Sequence, residues 1–134
     1  MREIVTHHDG HGLMESITIE AGPDGPGGAA HEYVCYTDGT MGTGQATTSG
    51  RIEIARIRYQ CGPRHESGST PGILDGVLLA IIADRMEKFQ AGPYSSREGA
   101  FVLTKVQEAM HWLKARADRR AREGTLGNNI PDSK

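Results

Sequence analysis

Gly99, Leu103, Val106, Met110, Leu113 and Ala117 recur four and three residues apart. Only an α-helix brings that spacing onto one narrow stripe, and a stripe so narrow suits packing against another helix. The pattern predicts a helix of about 28 residues, close to 40 Å long at about 1.5 Å per residue. A chain of 134 residues has little with which to cover such a rod, so it must belong to a hairpin or to an oligomer. Ser95 and Glu98 form a Ser-x-x-Glu capping pattern at its start, and Gly124 is the stop. GNNIPDSK then reads as a frayed tail.

A second helix precedes it. Thr70 followed by Pro71 suits a cap with proline at the first helical position. Leu74, Leu78, Ile81, Ile82 and Phe89 then recur at helical spacing, and Val77 and Met86 widen the apolar face. An element this apolar needs cover on more than one side, and a partner subunit is the simplest cover.

The front of the chain is different. Most of the 18 glycines and six prolines fall before Gly76, so that half has few side chains to bury. Within it LMESITIE (13–20), EYVCY (32–36) and RIEIARIRYQ (51–60) read as strands from their β-branched and aromatic content. In the last of these the alternation changes phase near Ala55, which predicts a bulge that brings in Ile57 and Tyr59. The expected fold is α+β: an antiparallel sheet with glycine-rich loops over 1–62, an antiparallel two-helix hairpin over 63–127, a flexible tail over 128–134, and assembly as an oligomer.

Charge is divided along the chain. Arg2 is the one basic residue among the first 50 and faces seven carboxylates, whereas 14 of the 15 Lys and Arg lie beyond. Such asymmetry suits a face that meets an anion, and equally head-to-tail contact between subunits. Cys35 and Cys61 have no metal or redox spacing, and no apolar run reaches 18 residues. A protein of the cytoplasm is expected, without a membrane span. With a net charge of -2 and a short basic patch, DNA is not an expected partner. HHDGH (7–11) resembles a metal cluster only in composition, and no nucleophile stands at a diagnostic spacing. Neither metal binding nor catalysis is expected.

Three places invite a ligand. In HWLKARADRRAREG, Arg116, Arg119 and Arg120 share a helical face with Trp112. They read either as a phosphate clamp or as cations favoured by the helix dipole. In CGPRHE, Arg64 leaves a Gly-Pro turn where a side chain can reach a ligand. In FQAGPY, Phe89 fits either a base-stacking aromatic or a core residue at a helix end.

IRYQCGPRHESG and, after a short gap, LLAIIADRMEKFQAGPYSSREGAFVLTKVQEAMHWLKARADRRAREGTLG resemble the phage Thoeris anti-defence protein 1 family over about residues 52 to 127. That family is similar in its helical hairpin to a phage anti-CBASS sponge. The resemblance implies a decoy without enzymatic activity or cofactor, acting in the cytoplasm of the host bacterium. It would capture cyclic ADP-ribose isomers (1''-3' or 1''-2' glycocyclic), the signals of a TIR-domain sensor, and so starve an NAD-consuming effector. It further implies a homo-oligomer, a hexamer in some members, with additional sites for cyclic di- or trinucleotides. Carried over by motif, the ligand-binding residues are Arg64, Arg116 and Phe89, with Phe89 stacking on the adenine. Gly99 stands where the family has asparagine, Ser96 where it has cysteine and Arg122 where it has an acid, so Gly99 and Arg122 are departures at the expected pocket. Two rivals stand beside this reading: a sponge chiefly for cyclic oligonucleotides, and a structural oligomer with no small ligand.

Overall fold

A computed structural model of the chain describes residues 1–4, 9–38, 50–63, 66–128 and 130–132. Four strands precede two helices: β1 (Arg2–Ile4), β2 (Ile17–Ala21), β3 (Glu32–Asp38), β4 (Arg51–Arg58), α1 (Asp75–Gln90) and α2 (Arg97–Glu123). The α+β class with an antiparallel sheet is as the sequence predicts. The chain divides into two units, Met1–Gly72 and Ile73–Lys134.

In the first unit the strands follow one another across the sheet in sequence order, each antiparallel to the next. β1 was not foreseen, because three residues carry too little alternation to be seen. β2 begins only at Ile17 because Leu13–Ser16 form a turn, closed by the Ile17 N–H donating to the Met14 carbonyl at 3.1 Å. The register pairs Ile19 with Cys35 and Cys35 with Ala55, then jumps so that Tyr36 pairs with Glu53. Ile54 is therefore the extra residue of the expected bulge. Its insertion matters for packing. Ile52 and Ile57 are five apart and would face opposite sides of a regular strand; with Ile54 looped out they share a face with Ile17, Ile19 and Cys35.

The opposite face is charged. Arg51 spans β3 to reach Glu20 at 2.7 Å, its guanidinium stacked 4.1 Å from the centre of the Tyr36 ring. Arg56 pairs with both Glu32 and Glu53. Val34 lies on this side and is fully buried, which fits arginine stems covering apolar surface while their heads stay wet. By contrast Ile17, Ile19, Ile52 and Ile57 on the apolar face are only half-buried.

Beyond β4 the expected helix start at Thr70–Pro71 is corrected. Thr70 exchanges backbone hydrogen bonds with Cys61 (2.8 and 2.9 Å), which ties it to the sheet unit. A Cβ on Gly72 would lie 2.4 Å from the Tyr59 carbonyl carbon, so only glycine permits that approach. α1 starts at Asp75 behind Leu74, with no side-chain cap.

In the second unit, Gly76 lies beside Leu113 at one end, and at the other a Cβ on Gly99 would touch Gln90 and Met86. The helices are thus antiparallel, as expected. All six residues of the α2 stripe from Gly99 to Ala117 are at least half-buried, and Gly99 is fully so. The face of α1 that meets it is a correction. Gly76, Leu78, Leu79, Ala83, Met86 and Gln90 are its least exposed residues, so Leu78 and Met86 are covered as expected, whereas Leu74, Val77, Ile81, Ile82 and Phe89 stay exposed. Small residues let the axes come close, and the bulkier stripe is left pointing outward. Capping also shifts by one residue: Ser96, not Ser95, accepts from the Gly99 N–H at 2.9 Å. Gly124 ends α2 in the left-handed region (φ 74°), as expected.

Candidate functional site: an arginine-lined cleft at the end of the hairpin

α2 is 27 residues long and α1 is 16, so the last turns of α2 run past the start of α1. The returning chain covers that overhang. The Thr125 N–H donates to the Arg120 carbonyl at 2.9 Å, and the Arg120 guanidinium donates to the carbonyls of Thr125, Asn128 and Ile130, each at 2.9 Å. It also donates to Asp132 at 2.8 Å. At 4% exposure Arg120 is the buried charged residue among the described ones. An arginine so placed is stable only because carbonyls and a carboxylate meet its donors.

Asp132 collects two more arginines. Arg116 Nε donates to it at 3.0 Å, and Arg119 approaches to 3.3 Å. Its carboxyl is held below the ordinary value of 3.8, first by the hydrogen bond from Arg120 and then by that from Arg116. Asp132, within the stretch 128–134 that the sequence presents as a flexible tail, therefore closes the basic cluster.

Beside the cluster lies a cleft of about 440 Å³. Its walls are Leu74 to Gly76 at the start of α1, Leu113, Arg116 and Arg120 on α2, and Leu126 to Asn128 on the returning chain. Arg116 is half-exposed. Apolar walls with two guanidiniums suit a ligand that is part anionic and part apolar. A larger cavity of about 520 Å³ belongs to the sheet unit, lined by His31, Glu32, Arg58 and Tyr59 among others. Its cation is partly neutralised, since Arg58 lies 3.5 Å from Glu32.

The other expected site residues are distributed as follows. Phe89 stands at the far end of the hairpin, 39% exposed, with Tyr94 edge-on at 6.4 Å and the Arg85 guanidinium 5.3 Å from its ring centre. At that exposure Phe89 stands outside the seam packed between the two helices of this chain. Gly99 is buried at the same end, and the space a side chain would take holds the Gln90 carboxamide, bonded to Ser96 N and O at 3.1 and 2.9 Å. Arg122 is exposed and belongs to the Lys114–Asp118 ridge, where it helps hold the Asp118 carboxyl below its usual range after the dominant Lys114 hydrogen bond. It does not line the cleft. Arg64 lies outside the described residues, as do His7 and His8 of the histidine cluster. Among the described residues no three His, Cys, Asp or Glu converge as a metal set.

Within one chain Phe89 and Arg116 do not meet. Gly99 is level with Gln90, and the run of α2 from Gly99 to Arg116 spans about 25 Å. Asp132, which closes the basic cluster, and Leu126, which lines the cleft beside it, are the residues that sequence reasoning missed. Nothing in local periodicity marks them, since both lie beyond the helix stop.

Sheet and hairpin together define an α+β protein whose helical hairpin carries an arginine-lined cleft at one end and an exposed aromatic pair at the other. The chain belongs to the family of the Acb2/Tad1 hairpin domain, whose model matches residues 51–118, half of its length. It is also similar to Thoeris anti-defense 1 of Bacillus phage SBSphiJ7, with 32% identity over 77 residues, covering 58% of this chain and 54% of that protein. The chain thus spans about half the length of that curated relative.

Proposed function

We propose that this protein is a phage anti-defence decoy that binds glycocyclic ADP-ribose signals and holds them uncleaved inside the host bacterium. The name of the phage relative, an anti-Thoeris protein, supports the pathway. The structural observation that carries the ligand class is the cleft in which Arg116 and Arg120 face apolar walls. Guanidiniums match the oxygens of a pyrophosphate bidentately, and stacking an adenine needs an exposed aromatic such as Phe89.

Because Arg116 and Phe89 lie about 25 Å apart along the hairpin, they contact one small ligand only if two copies bring opposite ends together. The uncovered apolar surface supports such assembly. Ile81, Ile82, Phe101 and Val102 are all exposed, and each large apolar side chain that a second copy covers contributes about 1.5–3 kcal/mol. An oligomer, a hexamer by resemblance, then supplies the pocket that one chain lacks. No helix among the described residues is long and apolar enough to cross a membrane.

Titration calorimetry against 1''-3' and 1''-2' glycocyclic ADP-ribose, with cyclic di- and trinucleotides alongside, tests this reading. Light scattering of the same samples reads the assembly. The expected result is an oligomer that binds a glycocyclic isomer tightly and returns it chemically intact after heat denaturation. A stable 14.5 kDa monomer, or binding confined to cyclic oligonucleotides, overturns it.

A further inference from the structure

We propose that Asp132 is a built-in competitor: its carboxylate occupies an anion site formed by Arg116, Arg119 and Arg120, and an incoming phosphoanion takes its place. The inference rests on Arg116 being a ligand-binding arginine.

Three guanidiniums converge on one carboxylate, at 2.8 Å from Arg120, 3.0 Å from Arg116 and 3.3 Å from Arg119. Among the described residues Glu123 is a further acid in reach, 3.6 Å from Arg119. Asp75 lines the opposite wall of the cleft and sets a limit on how much anion the site welcomes. A phosphoanion carries more charge and more acceptor oxygens than a carboxylate, so it competes well for the same forks.

The contacts divide into a fixed part and an exchangeable part. Arg120 is buried and keeps three carbonyl acceptors from the returning chain without Asp132. Arg116 and Asp132 are 53% and 40% exposed, so water reaches their pair and the bond exchanges at low cost. Pro131 stiffens the chain just before Asp132 and keeps Ile130 extended, which holds the carboxylate near the cluster after it lets go. A tether of this length gives an effective concentration of about millimolar. The open cleft of about 440 Å³, which shares Arg116 and Arg120 with the Asp132 position, is where the rest of such a ligand lies. The consequence is a site that ignores scattered carboxylates and weak anions but yields to a ligand with a pyrophosphate and further contacts.

The test titrates inorganic pyrophosphate and, separately, 1''-3' glycocyclic ADP-ribose into the parent, Asp132→Asn, Asp132→Glu and the double variant Asp132→Asn with Arg116→Ala. Removing an occupant raises apparent affinity by the fraction of time the site was blocked, so Asp132→Asn should bind pyrophosphate about fivefold tighter or more. Asp132→Glu should stay near the parent, and the double variant should lose the gain. Equal pyrophosphate affinity in parent and Asp132→Asn overturns the proposal. In the parent, NMR should show the Asp132 amide moving toward its coil position as pyrophosphate binds, while Thr125 stays put. This decides the matter even if Asp132→Asn folds poorly, because binding with the Asp132 amide unmoved also overturns it. The glycocyclic arm separates the two readings. A pyrophosphate gain with no glycocyclic binding in any form keeps the competitor and removes the decoy. Tight glycocyclic binding with no pyrophosphate gain does the reverse.

Discussion

Replacing Arg120 by alanine should detach the chain after Gly124 while leaving most of the hairpin standing. The guanidinium donates to the carbonyls of Thr125, Asn128 and Ile130 and to Asp132. A carbonyl that loses its donor costs at most about 1–3 kcal/mol when buried; these three are partly buried, and losing the donor common to all of them should loosen the docked segment. The segment escapes by moving into water and recovers about 1 kcal/mol of chain entropy per released residue. That release caps the loss of stability at about 2–4 kcal/mol, within the range of a broken buried network. Lysine at the same place offers a point charge in place of a fork, so it should restore only part of the docking. Amide exchange is the assay. In the parent the Asn128 amide is bonded to the Thr125 carbonyl, which the guanidinium also holds, and should be protected; in Arg120→Ala it should exchange with amides of frayed ends, while those around Val106 stay protected. If Asn128 keeps parental protection, the Arg120 side chain does not organise this end of the molecule and the cleft has another support.

Gly99→Ala gains about 1 kcal/mol of helix propensity, but the new Cβ would lie 2.6 Å from the Gln90 carboxamide oxygen and 2.9 Å from Ser96 Oγ. Loss of the Gln90–Ser96 bonds and of the cap should outweigh the gain and destabilise the hairpin by about 1–2 kcal/mol, read by chemical denaturation. The Asp132 carboxyl is held down in the folded chain by Arg120 and Arg116, so its contribution is complete above the unfolded value of about 3.8 and is lost as pH falls through the lower folded value. The melting difference between the parent and Asp132→Asn should therefore be constant at neutral pH and close below about pH 4. Phe89→Ala should shift melting little, since the ring is 39% exposed, yet weaken glycocyclic ADP-ribose binding by about 1–3 kcal/mol; normal affinity would remove Phe89 from the pocket. Ile81→Glu, at an exposed apolar position, should split the oligomer in light scattering.

Much of the fold was legible because it depends on short-range pattern. The α2 stripe from Gly99 to Ala117, the Gly124 stop and the phase change near Ala55 each express a rule acting over a few residues, and the structure has all three. Where sequence reading missed, a distant partner competed with the local signal. Thr70–Pro71 has the form of a helix start, but Cys61 holds Thr70 by two backbone hydrogen bonds. Ser95 has its Glu three residues on, but the Gln90 side chain grips both Ser96 backbone groups and sets the cap one residue later.

The site divides along the same line. That arginines gather near residue 120 follows from the sequence alone, as does an aromatic beside a Gly-Pro turn at Phe89. Which arginine is buried and which is open to a ligand does not, because the choice depends on the overhang of α2 and on how the chain returns from Gly124. Nor could periodicity select the face of α1 that meets α2. Its apolar residues encircle more than one stripe, and close approach of two backbones favoured Gly76 and Ala83 over Ile81 and Ile82. Local sequence determined the rods, their ends and the signs of their charges; the packing of one rod on another decided which side chains remain free to bind.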